Sequence, residues 1–131
     1  MAMPEFKKLV DELKREIREI PIETLRQMKA DGEDFSLIDV REPEDWQKGT
    51  IPGAATIARG VLELNVDQVT TDKDRKIVLY FGGGSRSTLA AYMLQRMGFR
   101  NVLSLAGGYR GWRESEDKLA TGLLPDATKK V

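Results

Sequence analysis

The stretch IVLYFGGGSRSTLAAYMLQRMGF, residues 77–99, carries the residue types most able to do chemistry in this chain. An apolar run stops at Phe81. Gly82, Gly83, Gly84, Ser85, Arg86 and Ser87 follow, and then a spacing that suits a helix. Glycines let a backbone reach positive φ and come close to a ligand. A helix N-terminus adds N–H donors without intrahelical partners and a partial positive charge. Arg86 could close a forked pair of hydrogen bonds over an oxyanion, and Ser85 and Ser87 could donate hydroxyls. These are the parts of an anion cradle. The residue at its mouth, Phe81, can neither attack an anion nor hold one by charge. Glycine is also the common solution for a sharp strand-to-helix turn that binds nothing, and the loop alone leaves both readings open. Three better-known loops are excluded: no Gly-Lys-Ser/Thr follows, Ser87 stands where a dinucleotide fingerprint needs glycine, and the companions of a kinase loop are missing.

Two zeros narrow the chemistry further. The 131 residues include no cysteine and no histidine. Disulfides, thiolate nucleophiles, thiolate or imidazole metal sites and a Ser-His-Asp triad are therefore impossible, and no metal site is expected. Ser85, Ser87 and Thr88 lack an imidazole to activate them. Asp39 or Glu42 could act as a base only if the fold brought it close. Basic and acidic residues balance at 21 each, which gives no electrostatic case for a nucleic-acid or membrane-surface partner. No apolar stretch is long enough to span a bilayer, and MAMPEFKKLVDELKREIREI is too charged for the apolar region of a signal peptide, so a cytoplasmic location is expected.

The elements that must position the loop read as alternating strands and helices. Phe6, Leu9, Val10, Leu13, Ile17 and Ile20 recur at steps of three and four between charged residues, which predicts an amphipathic helix over residues 1–20 ended by Pro21. It docks on its own domain or serves as a dimerisation or partner helix. IETLRQMKADG predicts a second helix closed by Gly32, and FSLIDV a strand. PEDWQKG suits one or two helical turns starting at Pro43, and IPGAATI a turn into a short strand. GVLELNVDQV is weakly helical, KIVLYF a buried strand, and SRSTLAAYMLQRMGF a helix with Leu89, Tyr92, Met93, Arg96 and Met97 on one face. NVLSLAGG and YRGWRES give a last strand and helix, and DATKKV a frayed tail at 126–131. The pattern predicts an α/β domain over 21–125 with a central parallel sheet covered by helices on both faces, plus the N-terminal helix. Asp39 and Arg41 follow an apolar strand and fall at the same carboxyl edge as the glycine loop. They either orient the loop or a ligand, or form a buried ion pair and turn hydrogen bonds that hold the fold. Trp46, Tyr109 and Trp112 read as core or rim packing.

The loop has companions in order: LIDVREPEDWQKGTIPGA at residues 37–54 and VLSLAGGYRGW at 102–112. With these stretches the chain resembles the rhodanese family of single-domain sulfurtransferases over about residues 20–125. The resemblance implies a loop that runs from a catalytic cysteine to an arginine with four residues between. Phe81 stands at the cysteine position, Gly82, Gly83, Gly84 and Ser85 fill the loop, and Arg86 closes it. In an active relative the thiolate takes sulfur from a donor such as thiosulfate, holds it as a persulfide among the loop N–H groups, and passes it to a thiophilic acceptor. A similar phosphatase family carries one more residue in the loop. Thr50 stands where many relatives have histidine. A benzyl group forms no bond to sulfur, so this chain is expected to be inactive.

Three functions remain open on sequence alone. The domain is a degenerate rhodanese used for binding or regulation, with Phe81 filling or covering the mouth of the cradle. Alternatively, the parent is an active sulfurtransferase whose cysteine was replaced to inactivate it. The third is a simple anion- or protein-binding module. No cofactor is expected. The expected partners are a small sulfur-containing anion or thiol acceptor in an active parent, or another protein.

Overall fold

A computed structural model describes residues 3–83 and 85–122. In chain order the helices are α1 (Pro4–Leu13), α2 (Ile22–Ala30), α3 (Pro43–Trp46), α4 (Leu62–Asn65), α5 (Ser85–Arg96) and α6 (Gly108–Ala120). The strands are β1 (Arg18–Ile20), β2 (Ser36–Asp39), β3 (Ala55–Thr56), β4 (Ile77–Tyr80) and β5 (Val102–Leu105). All five strands are parallel, in the order β1-β5-β4-β2-β3. The tail at 126–131 lies outside the described residues.

The central strand shows why the sheet needs cover on both sides. Every residue of β4 is buried, and successive side chains of a strand point to opposite faces. Ile77 and Leu79, continued by Phe81, join a core with Leu62, Ala90 and Leu94. Val78 and Tyr80 join a second core with Leu25, Met28 and Trp112. Thus α4 and α5 cover one face, and α2 and α6 the other. The expected α/β architecture with an N-terminal helix is present.

The N-terminal helix is shorter than its periodicity suggests. It stops at Leu13, and residues 18–20 form the edge strand β1, paired with β5 through Ile20 and Leu105. Residues three apart share a face on a helix but lie on opposite faces of a strand. Ile17 packs in the α5-side core and Ile20 in the α2/α6-side core, which only the extended chain can achieve. The short helix itself packs against α5 and buries Val10, the intramolecular docking that its apolar stripe allows.

The side of α5 turned to the sheet is not the one that carries Met93 and Met97. Ser87, Ala90, Ala91 and Leu94 are buried, whereas Met93 and Met97 remain exposed. Small residues let the helix backbone approach the sheet closely. The buried Ser87 hydroxyl lies 2.6 Å from that of Ser104 on β5, which ties the first turn of α5 to the strand beneath it.

α6 is joined to the glycine loop by its backbone. The first N–H groups of a helix lack intrahelical acceptors. Here Tyr109 N–H donates to the Phe81 carbonyl at 2.8 Å and Arg110 N–H to the Gly82 carbonyl at 3.0 Å. Gly108 has φ +56°, and a Cβ built there would collide with the Phe81 carbonyl oxygen and the Gly82 backbone. Gly122 has φ +77° but open space around it. Gly122→Ala should therefore cost only the left-handed backbone strain of about 1–2 kcal/mol. Gly108→Ala should cost that strain plus displacement of the loop, and thermal denaturation should show the larger fall in Tm for Gly108→Ala.

Candidate functional site

β2 and β4 are neighbours, but the chain leaves β2 toward β3 on one side and β4 toward β5 on the other. In a parallel sheet such a reversal opens a crevice at the carboxyl ends of the two strands. The segment after β2 and the glycine loop after β4 form its walls.

Arg41 anchors the first wall. Its backbone N–H donates to Asp39 Oδ1 at 2.9 Å, and its Nη2 donates to Asp39 Oδ2 at 2.7 Å. Nε lies 3.0 and 3.1 Å from the two carboxylate oxygens, and Nη2 also reaches the Gly49 carbonyl at 2.7 Å. The guanidinium carbon sits 4.1 Å from the Tyr109 ring centre, and Tyr109 stacks on Tyr80 with centroids 6.5 Å apart. Both charged side chains are buried. The buried ion pair and turn hydrogen bond considered for Asp39 and Arg41 are thus present. Burial disfavours the charged guanidinium, but the hydrogen bonds and charge of Asp39 outweigh it and raise the Arg41 pKa. Removing one partner of such a pair strands a buried charge, which costs about 3–5 kcal/mol.

The second wall is the loop. Phe81 is only 4% exposed, and its ring belongs to the α5-side core. It does not fill or cover the mouth. A cavity of about 410 Å³ remains beside it, bordered by Arg41, Glu42 and Asp45 on one wall and by Phe81, Gly82, Gly83 and Arg86 on the other. Phe81 is therefore the floor of the cavity. The strand alternation explains this, since Phe81 follows Ile77 and Leu79 on the core-facing side. The Arg86 guanidinium lies 5.6 Å from the Phe81 ring centre, within cation–π range. Among the described residues Arg86 has no carboxylate partner, and the N–H groups of Gly82 and Gly83 have no protein acceptor.

The fold thus brings Gly82, Gly83, Arg86 and Arg41 together around one cavity. Ser87 is placed elsewhere, turned to Ser104 and away from the lining. Gly84 and the Ser85 side chain lie outside the described structure. Thr88 Oγ1 is buried without a hydrogen-bond partner among the described residues. Sequence reasoning missed the support shell of Tyr80, Gly49 and Gly108. The Gly107-Gly108 pair at the start of a helix was the available signal for the last of these.

The model of the rhodanese-like domain matches residues 21–115. The chain belongs to the rhodanese-like family. A sulfurtransferase of Allochromatium vinosum is 35% identical over 96 residues, which cover 73% of this chain and 88% of that protein. Among solved structures, a Rhodopseudomonas palustris protein described as a possible tyrosine phosphatase superposes with a TM-score of 0.77 at 30% identity, covering 88% of this chain and 94% of the other. The human single-domain sulfurtransferase TSTD1 gives 0.66 at 28% identity, covering 73% and 95%. No helix among the described residues of this rhodanese-like chain is long and apolar enough to cross a membrane.

The support shell makes a pH prediction. The Tyr80 hydroxyl accepts the Ile51 N–H at 3.0 Å, and burial, reinforced by Asp39, raises its pKa well above the ordinary 10.0. The unfolded chain therefore loses this proton first. Stability from this group is intact below pH ~10 and is lost as pH rises toward the folded-state pKa, by at most about 1.4 kcal/mol per pH unit. Urea unfolding from pH ~9 to ~11 should show this added decline in the parent chain and a shallower one in Tyr80→Phe.

Proposed function

We propose that this chain is a rhodanese-like domain that binds ligands at the family's loop without transferring sulfur. One observation carries the reading: the chain has no cysteine, and Phe81 directly follows β4 where the resemblance puts the nucleophile, while an open cavity persists beside it. Sulfur transfer needs an atom that bonds to sulfur and then releases it, and no thiol is available anywhere in the sequence. The Gly82 and Gly83 N–H groups and Arg86 still supply donors that an anionic group needs. In this reading Phe81, Gly82, Gly83, Gly84, Ser85 and Arg86 are a binding loop, with Asp39 and Arg41 holding the opposite wall.

The intact cavity also favours a second reading, in which the parent is an active sulfurtransferase whose cysteine was replaced. In that parent a small sulfur-containing anion would enter the cavity and a thiol would accept the sulfur.

A pair of substitutions tests both. Phe81→Cys and Phe81→Ser remove the same buried ring, and each should lower stability by about 3–5 kcal/mol. Only the first supplies a thiol. With thiosulfate as donor and cyanide as acceptor, the original chain and Phe81→Ser should form no thiocyanate, whereas a folded Phe81→Cys should form it. Turnover by the original chain would overturn the inert reading. A folded but inert Phe81→Cys would exclude the replaced-cysteine reading.

A further inference from the structure

The cavity over the glycine loop is only one half of a longer cleft. A second concavity of about 350 Å³ adjoins it, and Glu42, Phe81 and Arg86 border both. The additional walls are Phe6 from α1, Arg59 and Gly60, and Leu89 from α5. Phe6 lies outside residues 21–115, the stretch that the rhodanese-like family model matches, so the N-terminal helix contributes a wall from beyond that stretch. The lining is mixed, with Glu42, Arg59 and Arg86 beside three apolar side chains, of which Phe6 and Leu89 are half-buried and Phe81 is buried.

The charges of the two halves are not equivalent. Arg41 is committed to Asp39 at 2.7 Å, and Arg59 to Glu63 at 2.6 Å. Arg86 is the cation of the cleft without a carboxylate partner among the described residues. Glu42 and Asp45 stand on the rim of the first cavity, with the Glu42 N–H donating to Asp45 Oδ2 at 3.3 Å. A small dianion would meet a single uncommitted guanidinium and two carboxylates. A monoanion meets less repulsion, and a ligand with an apolar body gains from covering Phe6, Leu89 and the edge of Phe81.

We propose that the cleft takes an organic monoanion, a sulfonate or carboxylate attached to an aromatic or aliphatic body. Its headgroup lies at Arg86 and the Gly82 and Gly83 N–H groups, and its body lies in the second concavity against α1. This inference rests on the binding reading above and names the ligand class of that site.

The probe is benzenesulfonate, compared with sulfate and phenyl phosphate by isothermal titration calorimetry of the full chain at constant ionic strength. Benzenesulfonate should bind at least about tenfold more tightly than sulfate, the size of gain expected from covering one ring. It should also bind more tightly than phenyl phosphate at a pH where the phosphate is dianionic. Phe6→Ser should remove most of that advantage and leave sulfate binding unchanged. Leu89→Gln, on a different helix, should do the same, so the proposal stays testable if one variant folds poorly. Arg86→Gln should weaken all three ligands. Equal affinity for sulfate and benzenesulfonate, preference for the phosphate dianion, or indifference to both apolar substitutions would overturn the proposal. None of these outcomes bears on thiocyanate formation, so failure here is distinct from failure of the inert reading.

Discussion

The backbone contact between α6 and the glycine loop is the constraint on which the site depends. The carbonyls of Phe81 and Gly82 accept the N–H groups of Tyr109 and Arg110, at the first turn of a helix where those donors have no internal acceptor. One set of bonds therefore settles two problems, the unpaired helix end and the irregular loop. With the carbonyls held on the α6 side, the Gly82 and Gly83 N–H groups have no acceptor among the described residues. Gly108 makes the contact possible because any side chain there would occupy the space of the Phe81 carbonyl. The same first turn carries Tyr109, whose ring supports Arg41 on the opposite wall. Both walls are thus referenced to one helix end.

The two arginines of the cavity are in opposite states for a physical reason. Arg41 is 7% exposed, and an unpaired guanidinium would be costly at that depth. Asp39, the Gly49 carbonyl and the Tyr109 ring satisfy it. Its charge is largely neutralised by its partner, so it shapes the cavity more than it attracts a ligand. Arg86 is exposed at the start of α5 and needs no buried counter-charge. A cavity with two arginines accordingly acts electrostatically as though it had one.

Much of this arrangement was legible in the sequence because it depends on local pattern. The strands β2, β4 and β5 are short apolar runs, α3 starts at Pro43, and α5 follows a glycine run. The motifs after β2 and β4 also identified the two walls. Ile17 and Ile20 were misread because their spacing satisfies a helix, whereas the parallel edge pairing of residues 18–20 with β5 decides their conformation. Pairing between residues so distant leaves no mark on local periodicity. Tyr80 and Gly108 were missed for the same reason: each matters through a partner far along the chain, Ile51 for the first and Phe81 for the second. Phe6 could be seen as apolar, but its place beside the loop follows only from the docking of α1 on α5.

In the proposed reading, the position of Phe81 separates binding from chemistry. In a strand, a residue two places after Leu79 shares its face, so the side chain at this position starts out directed at the α5-side core. A phenylalanine completes the apolar row begun by Ile77 and Leu79, and burying such a side chain stabilises a fold by about 1.5–3 kcal/mol. The ring goes down into the core, so its bulk does not close the cavity above. Phe81 thus adds to the core while Gly82, Gly83 and Arg86 border the cavity beside it. In the binding reading proposed above, sulfur transfer needs one particular atom at position 81, whereas anion recognition needs a set of donors fixed by α5, α6 and the sheet edge. The first can be lost at a single position, and the second persists as long as the surrounding fold does.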